Sequence, residues 1–343
     1  MMTAHSNMLL ETKAAPAAVE RLFAQSGGAI DALAQVLIDA NVRAAVTVAR
    51  GSSDHAASHL SYLLMSRMGM LVTSLPPSVI TLHHARINGD GLAALSFSQS
   101  GQSPDLVQTM SALSAQRAIT AALVNDVDSP LAKAVDHVID LQAGAELSVA
   151  ATKSFIAQLA AGLRLYSAWA NDDDLRSAFV SLPDALETAA EIDWSPAVDA
   201  LRNADRLLVI GRGASLAIAA EMALKFKEVC GIQAEAFSAA ELKHGPMALI
   251  EAGYPVLVLA PRGAGEEALI AISEDLRGRG ARVLLASPSR HAHAELPVVA
   301  AAHELLDTVS MVQSFYPMVE ALARTRGYDP DRPAHLNKVT KTT

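Results

Sequence analysis

The chain has 343 residues, 51% of them hydrophobic and 18% charged, a balance that supports a large buried core and excludes a disordered chain. A net charge of −9 argues against a general nucleic-acid binder and leaves an anionic small molecule open, because a local cluster of donors outweighs a global charge. No apolar run approaches the ~18 residues that a membrane-spanning helix needs, the start MMTAHSNMLLETK lacks the pattern of a secretory signal, and the single Cys230 permits no internal disulfide, so a reducing cytoplasm is the expected compartment.

Taken in chain order, the apolar run VTVARGSS (46–53) reads as a strand that ends in a glycine-bearing turn and feeds a helix. LAALSFSQSG follows, ending at Gly101, and then AITAALV, ending at Val124. The pattern then recurs. LLVIGRGAS places Gly213 opposite Gly51, YPVLVLAPRG places Gly263 opposite Gly101, and ARVLLA places Ala286 opposite Val124, each pair 162 residues apart. Three coincident offsets mark a tandem repeat. Short β-branched and aliphatic runs alternating with helical stretches predict βαβ units and a parallel sheet. Strands that read as continuous apolar runs predict helices on both faces, a three-layer, flavodoxin-like α/β/α arrangement. The expected spans are 28–170 for the first domain, 171–194 for an acidic helical connector, 195–325 for the second domain and 326–343 for a tail.

In an open parallel sheet, ligands bind outside the carboxyl ends of the strands. The loop Ser98-Gln99-Ser100-Gly101-Gln102-Ser103 lies at such an end, and Ser103-Pro104 reads as a helix N-cap followed by the first helical residue. Hydroxyls, a permissive glycine and free N–H groups at a helix start suit a phosphate; serines at helix starts also simply cap helices. The second copy has Ala260-Pro261-Arg262-Gly263-Ala264-Gly265 at this place, without a hydroxyl, which favours a phosphate-type site in the first copy alone. Gly51-Ser52-Ser53 opens the preceding helix and stands ready to join it.

The second copy carries the reactive side chains. Helical spacing puts Glu221, Leu224, Lys225 and Glu228 on one face, and spacing alone makes that face a solvated stripe with i,i+4 pairing. Ser238 to Glu241 reads as a capping box, and Lys243-His244-Gly245-Pro246 as the end of a short helix. Cys230 reads as a small buried apolar residue. The histidine pairs His83–His84 and His291/His293 lack partners at metal-ligand spacing. The tail, with its prolines and no apolar period, predicts no regular element.

Together these stretches resemble the tandem sugar isomerase (SIS) domain proteins: the isomerase half of glucosamine-6-phosphate synthase and the SIS-type glucosamine-6-phosphate deaminases. The resemblance is carried by Gly51-Ser52-Ser53, the Ser98–Ser103 loop, Ala151-Thr152-Lys153, Leu224–Glu228, Ala240–Pro246 and Leu336–Thr340. It implies that Ser52, Ser98, Gln99, Ser100 and Ser103 hold the sugar phosphate, with Gly51, Ser53, Thr152 and Lys225 as further substrate contacts. It also implies that Glu228 moves a proton between C1 and C2, that His244 assists ring opening, and that Lys338 forms an imine with the open-chain ketose. On this resemblance the tail closes over the site.

No glutaminase domain of the synthase kind is expected within this sequence, and Lys338 is followed directly by Val339-Thr340, a form that resembles the deaminase branch. The expected activity is glucosamine-6-phosphate deamination to fructose 6-phosphate and ammonia, with no cofactor and no metal. Alternatives are another phosphosugar isomerase or deaminase, acting on galactosamine 6-phosphate or a fructoselysine-type substrate, a glutaminase-less aminotransferase-like isomerase, and a non-catalytic phosphosugar sensor. The expected partners are a phosphorylated amino sugar and a second copy of the chain as a homodimer, with no nucleic acid and no membrane.

Overall fold

The computed structural model describes residues 5–289, 291 and 293–338. Its elements run α1 (Asn7–Lys13), α2 (Ala15–Asp39), β1 (Ala44–Val48), α3 (Gly51–Met68), β2 (Leu71–Ser74), α4 (Ser78–Thr81), β3 (Leu92–Ser98), α5 (Pro104–Ala115), β4 (Ile119–Val124), β5 (His137–Asp140) and α6 (Lys153–Ala170). They continue with α7 (Asp173–Ala178), α8 (Leu182–Ala190), α9 (Ser195–Leu201), β6 (Arg206–Gly211), α10 (Ser215–Cys230), β7 (Gln233–Ser238), β8 (Pro255–Leu259), α11 (Glu266–Gly278), β9 (Arg282–Ser287), β10 (Leu296–Pro297) and α12 (Asp307–Thr325). Among the described residues no helix is long and apolar enough to cross a membrane.

The chain divides into two compact units. The first comprises 17–146, 153–177 and the described tail residues 337–338. Its five strands pair in parallel in the order β2-β1-β3-β4-β5, with Ala44 opposite both Leu71 and Leu92. Every residue of β3 is buried, the small Ser96 and Ser98 included, as expected where helices cover both faces of the sheet. Leu106, Met110 and Leu113 of α5 pack on Val46, Val48 and Ala94. Helix α6 packs against α3, with Gly162 facing Leu60: a Cβ there would meet it at 3.6 Å, an ordinary van der Waals contact.

The helix α2 runs unbroken through Gly27-Gly28, where the sequence suggests the edge of a domain. A glycine inside a helix costs about 0.5–1 kcal/mol relative to alanine. At Gly27 the gain is room: a Cβ would lie 3.1 Å from the Arg164 guanidinium, which bonds Asp31 at 2.8 Å.

The second unit comprises the described residues of 1–16, 147–152 and 178–336. Its sheet is again parallel, in the order β10-β9-β8-β6-β7, so β6, β8 and β9 repeat the roles of β1, β3 and β4. Its core joins Leu208, Ile210, Val256 and Val258 to Leu269, Ile272 and Leu276 of α11. The paired turn glycines share left-handed backbone: φ is 53° at Gly51 and 64° at Gly213, 61° at Gly101 and 113° at Gly263. Only glycine adopts this region at little cost. Two α/β domains with parallel sheets and flanking helices are therefore present, as the repeat predicts.

Among the described residues after α12, up to 338, there is no regular element, yet the stretch is tied down at Asp331. The Asp331 carboxylate accepts the backbone N–H groups of Asn7 and Met8, each at 2.8 Å. Together with Ser6, which accepts from Leu9 N–H at 3.1 Å, it satisfies the exposed donors at the start of α1. Residues 339–343, which include Val339 and Thr340, lie outside the described residues.

Candidate functional site

The carboxyl end of the first sheet holds the serine loop. Pro104 opens α5 with Ser103 at the N-cap, and the Ser103 hydroxyl makes no capping bond to the helix. Instead the loop is braced from within. The Ser98 hydroxyl accepts Gly101 N–H at 2.9 Å and the Ser100 hydroxyl accepts Gln102 N–H at 3.4 Å. Both hydroxyl oxygens accept, so each O–H remains a donor. Any side chain at position 101 would clash, because a Cβ would lie 2.2 Å from the Ser129 hydroxyl oxygen. In the facing turn, Gly51, Ser52 and Ser53 begin α3, and the Ser53 hydroxyl accepts Gln158 Nε2–H at 3.0 Å.

Gly51, Ser53, Ser98, Gln99, Ser100 and Ser103 line one cleft of about 310 Å³ together with Lys338. The Lys338 ammonium donates to Glu146 Oε2 at 2.9 Å. Glu146 is fully buried at its side chain and also accepts Ser154 N–H at 3.1 Å and Ser154 O–H at 2.7 Å. Burial alone would raise its pKa, but the Lys338 charge and the Ser154 bonds outweigh that and hold it below the usual carboxylate value.

Thr152, Lys225, Glu228 and His244 belong to the other unit. On α10, Lys225 is 1% exposed and Glu221 is fully buried, so this face is not the solvated stripe that spacing suggests. The correction is one of burial, not of pairing: Lys225 Nζ lies 3.4 Å from Glu221 Oε1 and 2.5 Å from Glu228 Oε2. Tyr316 donates its O–H to Glu221 at 3.2 Å. Burial works against the Lys225 charge, yet the two carboxylates prevail and raise its pKa. Glu228 is the open end of this triad, its side chain 20% exposed.

His244 is exposed, at the end of a 3-10 turn from Glu241 to His244. Ser238 does not cap that turn; it closes β7, and the N-cap position falls on Ala240. Thr152 is buried immediately before α6. Cys230 is buried, and burial raises its thiol pKa to about 12, so it stays an unreactive thiol.

The serine loop has a different counterpart in the second unit. There Arg262, at the position of Ser100, places Nε at 2.7 Å from Asp307 Oδ2 and Nη2 at 2.6 Å from Asp307 Oδ1. Asp307 is fully buried.

The motif reading passes over two residues at the first cleft, Arg50 and Glu146. The signal for Arg50 is a cation directly before Gly51-Ser52-Ser53 at a strand end. Glu146 carries no such signal, because its partner Lys338 is 192 positions away. A larger hollow of about 480 Å³, lined by Asn203, Asp205, Arg206 and Arg282, sits at the amino ends of β6 and β9, away from where parallel sheets bind ligands.

A family model for the SIS domain matches residues 37–168 and 200–321. The chain belongs to the SIS domain family. The glutamine–fructose-6-phosphate aminotransferase (isomerizing) of Sulfurisphaera tokodaii is 30% identical over 96% of this chain and 56% of its own length. The chain thus spans about half the length of the curated relatives it matches. Among solved SIS-type structures, a protein of Silicibacter pomeroyi DSS-3, provisionally described as a phosphosugar isomerase, is 42% identical. It superposes with a TM-score of 0.90 over 95% of this chain and 100% of its own. The glucosamine-6-phosphate deaminase of Thermotoga maritima shares the fold, with a TM-score of 0.77 over 98% of this chain and 100% of its own, at 20% identity.

Proposed function

We propose that this SIS protein is a glucosamine-6-phosphate deaminase, converting glucosamine 6-phosphate and water into fructose 6-phosphate and ammonia. The observation that carries the reading is the gathering of Ser98, Gln99, Ser100 and Ser103 with Lys338 around one cleft. It offers a phosphate several neutral donors and a helix start, and offers a carbonyl carbon an amine. The Lys338-Val339-Thr340 tail favours the deaminase branch.

In this reading the serine loop, with Gly51, Ser52 and Ser53, holds the sugar phosphate. His244 assists opening of the pyranose, and Glu228 carries the proton from C2 to C1 of the open chain. A carboxylate is suited to such a shuttle, because it accepts and returns the same proton. The C2 imine that results takes up water and releases ammonia. Lys338 forms an imine with the C2 carbonyl of the open-chain ketose, expelling water, and hydrolysis of that imine takes the water back, releasing fructose 6-phosphate and the free lysine amine. Lys225, held by Glu221 and Glu228, acts on substrate through Glu228. These steps call on no metal ion or redox cofactor. A homodimer is part of the reading, and light scattering after size-exclusion chromatography tests it: a fully active monomer at micromolar concentration refutes it.

The deciding experiment incubates the purified protein with glucosamine 6-phosphate, and separately with galactosamine 6-phosphate, and measures ammonia and ketose phosphate. Equal release of both products from the gluco sugar is the expected result. Release from the galacto sugar alone moves the assignment to that epimer. Binding without release from either refutes the deaminase.

A further inference from the structure

The serine loop presents a charge problem. A sugar phosphate carries roughly −1.5 to −2 charges near neutral pH, and the chain itself carries −9. The loop donors are neutral, and Lys338 is paired with Glu146. One further cation lines the cleft, Arg50.

Arg50 follows β1 at its carboxyl end and precedes the Gly51 turn. Its Nε and Nη2 both bond Asp105 Oδ2, at 3.1 and 2.7 Å. The Asp105 side chain is 2% exposed, while that of Arg50 is 50% exposed, and Asp105 Oδ1 accepts Leu106 N–H at 2.9 Å. Asp105 is therefore fixed in the first turn of α5 and grips one part of the guanidinium. The Nη1 group of Arg50 has no partner among the described residues. A guanidinium so held keeps its fork geometry and has donors left for a second oxyanion.

The repeat supplies a control. Arg212 stands 162 positions after Arg50, and Glu267 stands at the position of Asp105. Arg212 makes no ion pair among the described residues, so the strand-to-helix turn of this fold does not need an arginine–carboxylate clamp to form. The clamp is found beside the serine loop, where a ligand charge has to be met.

We propose that Arg50 is a phosphate-binding residue of this cleft, positioned by Asp105 so that its unpaired guanidinium edge meets the sugar phosphate held by the serine loop. The inference rests on the reading of that loop as the phosphate site.

The test measures binding of inorganic phosphate and of fructose 6-phosphate to the full chain by calorimetry. The wild type is compared with Arg50→Gln, Asp105→Asn, Arg50→Gln/Asp105→Asn and Ser100→Ala. Loss of a charged hydrogen-bonding partner corresponds to about a 10- to 100-fold weakening. That is expected for Arg50→Gln with both ligands. The double variant removes both charges, so it stays testable if Arg50→Gln leaves Asp105 unpaired and fails to fold; it too is expected to bind both ligands at least about tenfold more weakly. Asp105→Asn alone should weaken binding less than Arg50→Gln, since the cation stays and only its orientation suffers. Wild-type affinity in a folded Arg50 variant, with Ser100→Ala impaired, overturns the role of Arg50 and leaves the loop reading standing. Wild-type affinity in both Arg50 and Ser100 variants overturns the loop reading itself, and this inference with it.

Discussion

The two copies of the SIS fold differ most where they are most comparable, at the carboxyl edge of each sheet. In the first, the loop after β3 carries serines whose hydroxyls brace its own backbone and which line a cleft. In the second, the same position carries Arg262, whose guanidinium is gripped by both carboxylate oxygens of buried Asp307. The second copy meets its polar requirement with its own side chains; the first leaves donors for something else. The following helices differ in the same spirit. Position 59 in α3 is a buried histidine, and the residue 162 positions on is Glu221 in α10. Burial holds His59 neutral, lowering its pKa to about 4, whereas Glu221 is paired with Lys225. A duplicated backbone thus carries a neutral polar group in one copy and an ion triad in the other.

Four experiments press on that contrast, beginning with the largest effect. Glu228→Gln removes the proton carrier we propose in the second copy and should lower turnover by about 10²- to 10⁴-fold with phosphate affinity unchanged; normal turnover would take Glu228 out of the mechanism. Arg262→Ala leaves fully buried Asp307 without its cation and should cost about 3 kcal/mol in denaturant unfolding. If the second loop is closed on itself, phosphate affinity does not change in that variant; a loss of affinity breaks the contrast.

The third concerns acid. His59 is protonated more readily in the unfolded chain, near its ordinary value of 6.5, than in the folded one, near 4. Between those values the unfolded state binds the extra proton, so stability falls as pH drops from about 6.5 to about 4, by up to about 3 kcal/mol. Urea unfolding of His59→Gln across that window should show a flatter profile than the wild type; an unchanged slope removes His59 as the source. The smallest effect is that of Ser100→Ala, the loss of one neutral donor, which should raise the Michaelis constant about tenfold or less while turnover holds. No change there would undo the first half of the contrast.

The repeat was legible because it is written in features that local physics enforces. Glycines at positions 51, 101, 213 and 263 sit at left-handed turns, and strands buried on both faces read as mainly apolar runs rather than a hydrophobic–charged alternation. The serine loop was legible for the same reason, being a local arrangement at a strand end. What spacing does not reveal is burial of charge. Glu221, Lys225 and Glu228 have the periodicity of a wet helix face, and only packing against α12, with Tyr316 bonded to Glu221, distinguishes a buried triad from a solvated stripe. Glu146 and Lys338 fall outside local reading altogether, because their contact joins residues 192 positions apart. The unbroken helix through Gly27-Gly28 was hidden likewise: the reason for glycine there is Arg164, far along the chain.

The capping of α1 by Asp331 has a consequence for the order in which the molecule can be made. Helix α1 is made before several of its partners: Asp331 at its start, Glu320 bonded to Ser6, and Gln313, which donates to the Thr12 carbonyl. The first sheet closes with contacts formed by nearby stretches of chain and can assemble while translation continues. Glu11 of α1 accepts the Leu147 and Ser148 N–H groups, so the helix gains partners part-way, but the bonds that span 301, 314 and 324 positions form only when the last of these residues have emerged. Vectorial synthesis therefore leaves α1 incompletely docked until these late partners appear, and a nascent chain stalled before Gln313 would carry a folded first sheet with α1 only partly tied.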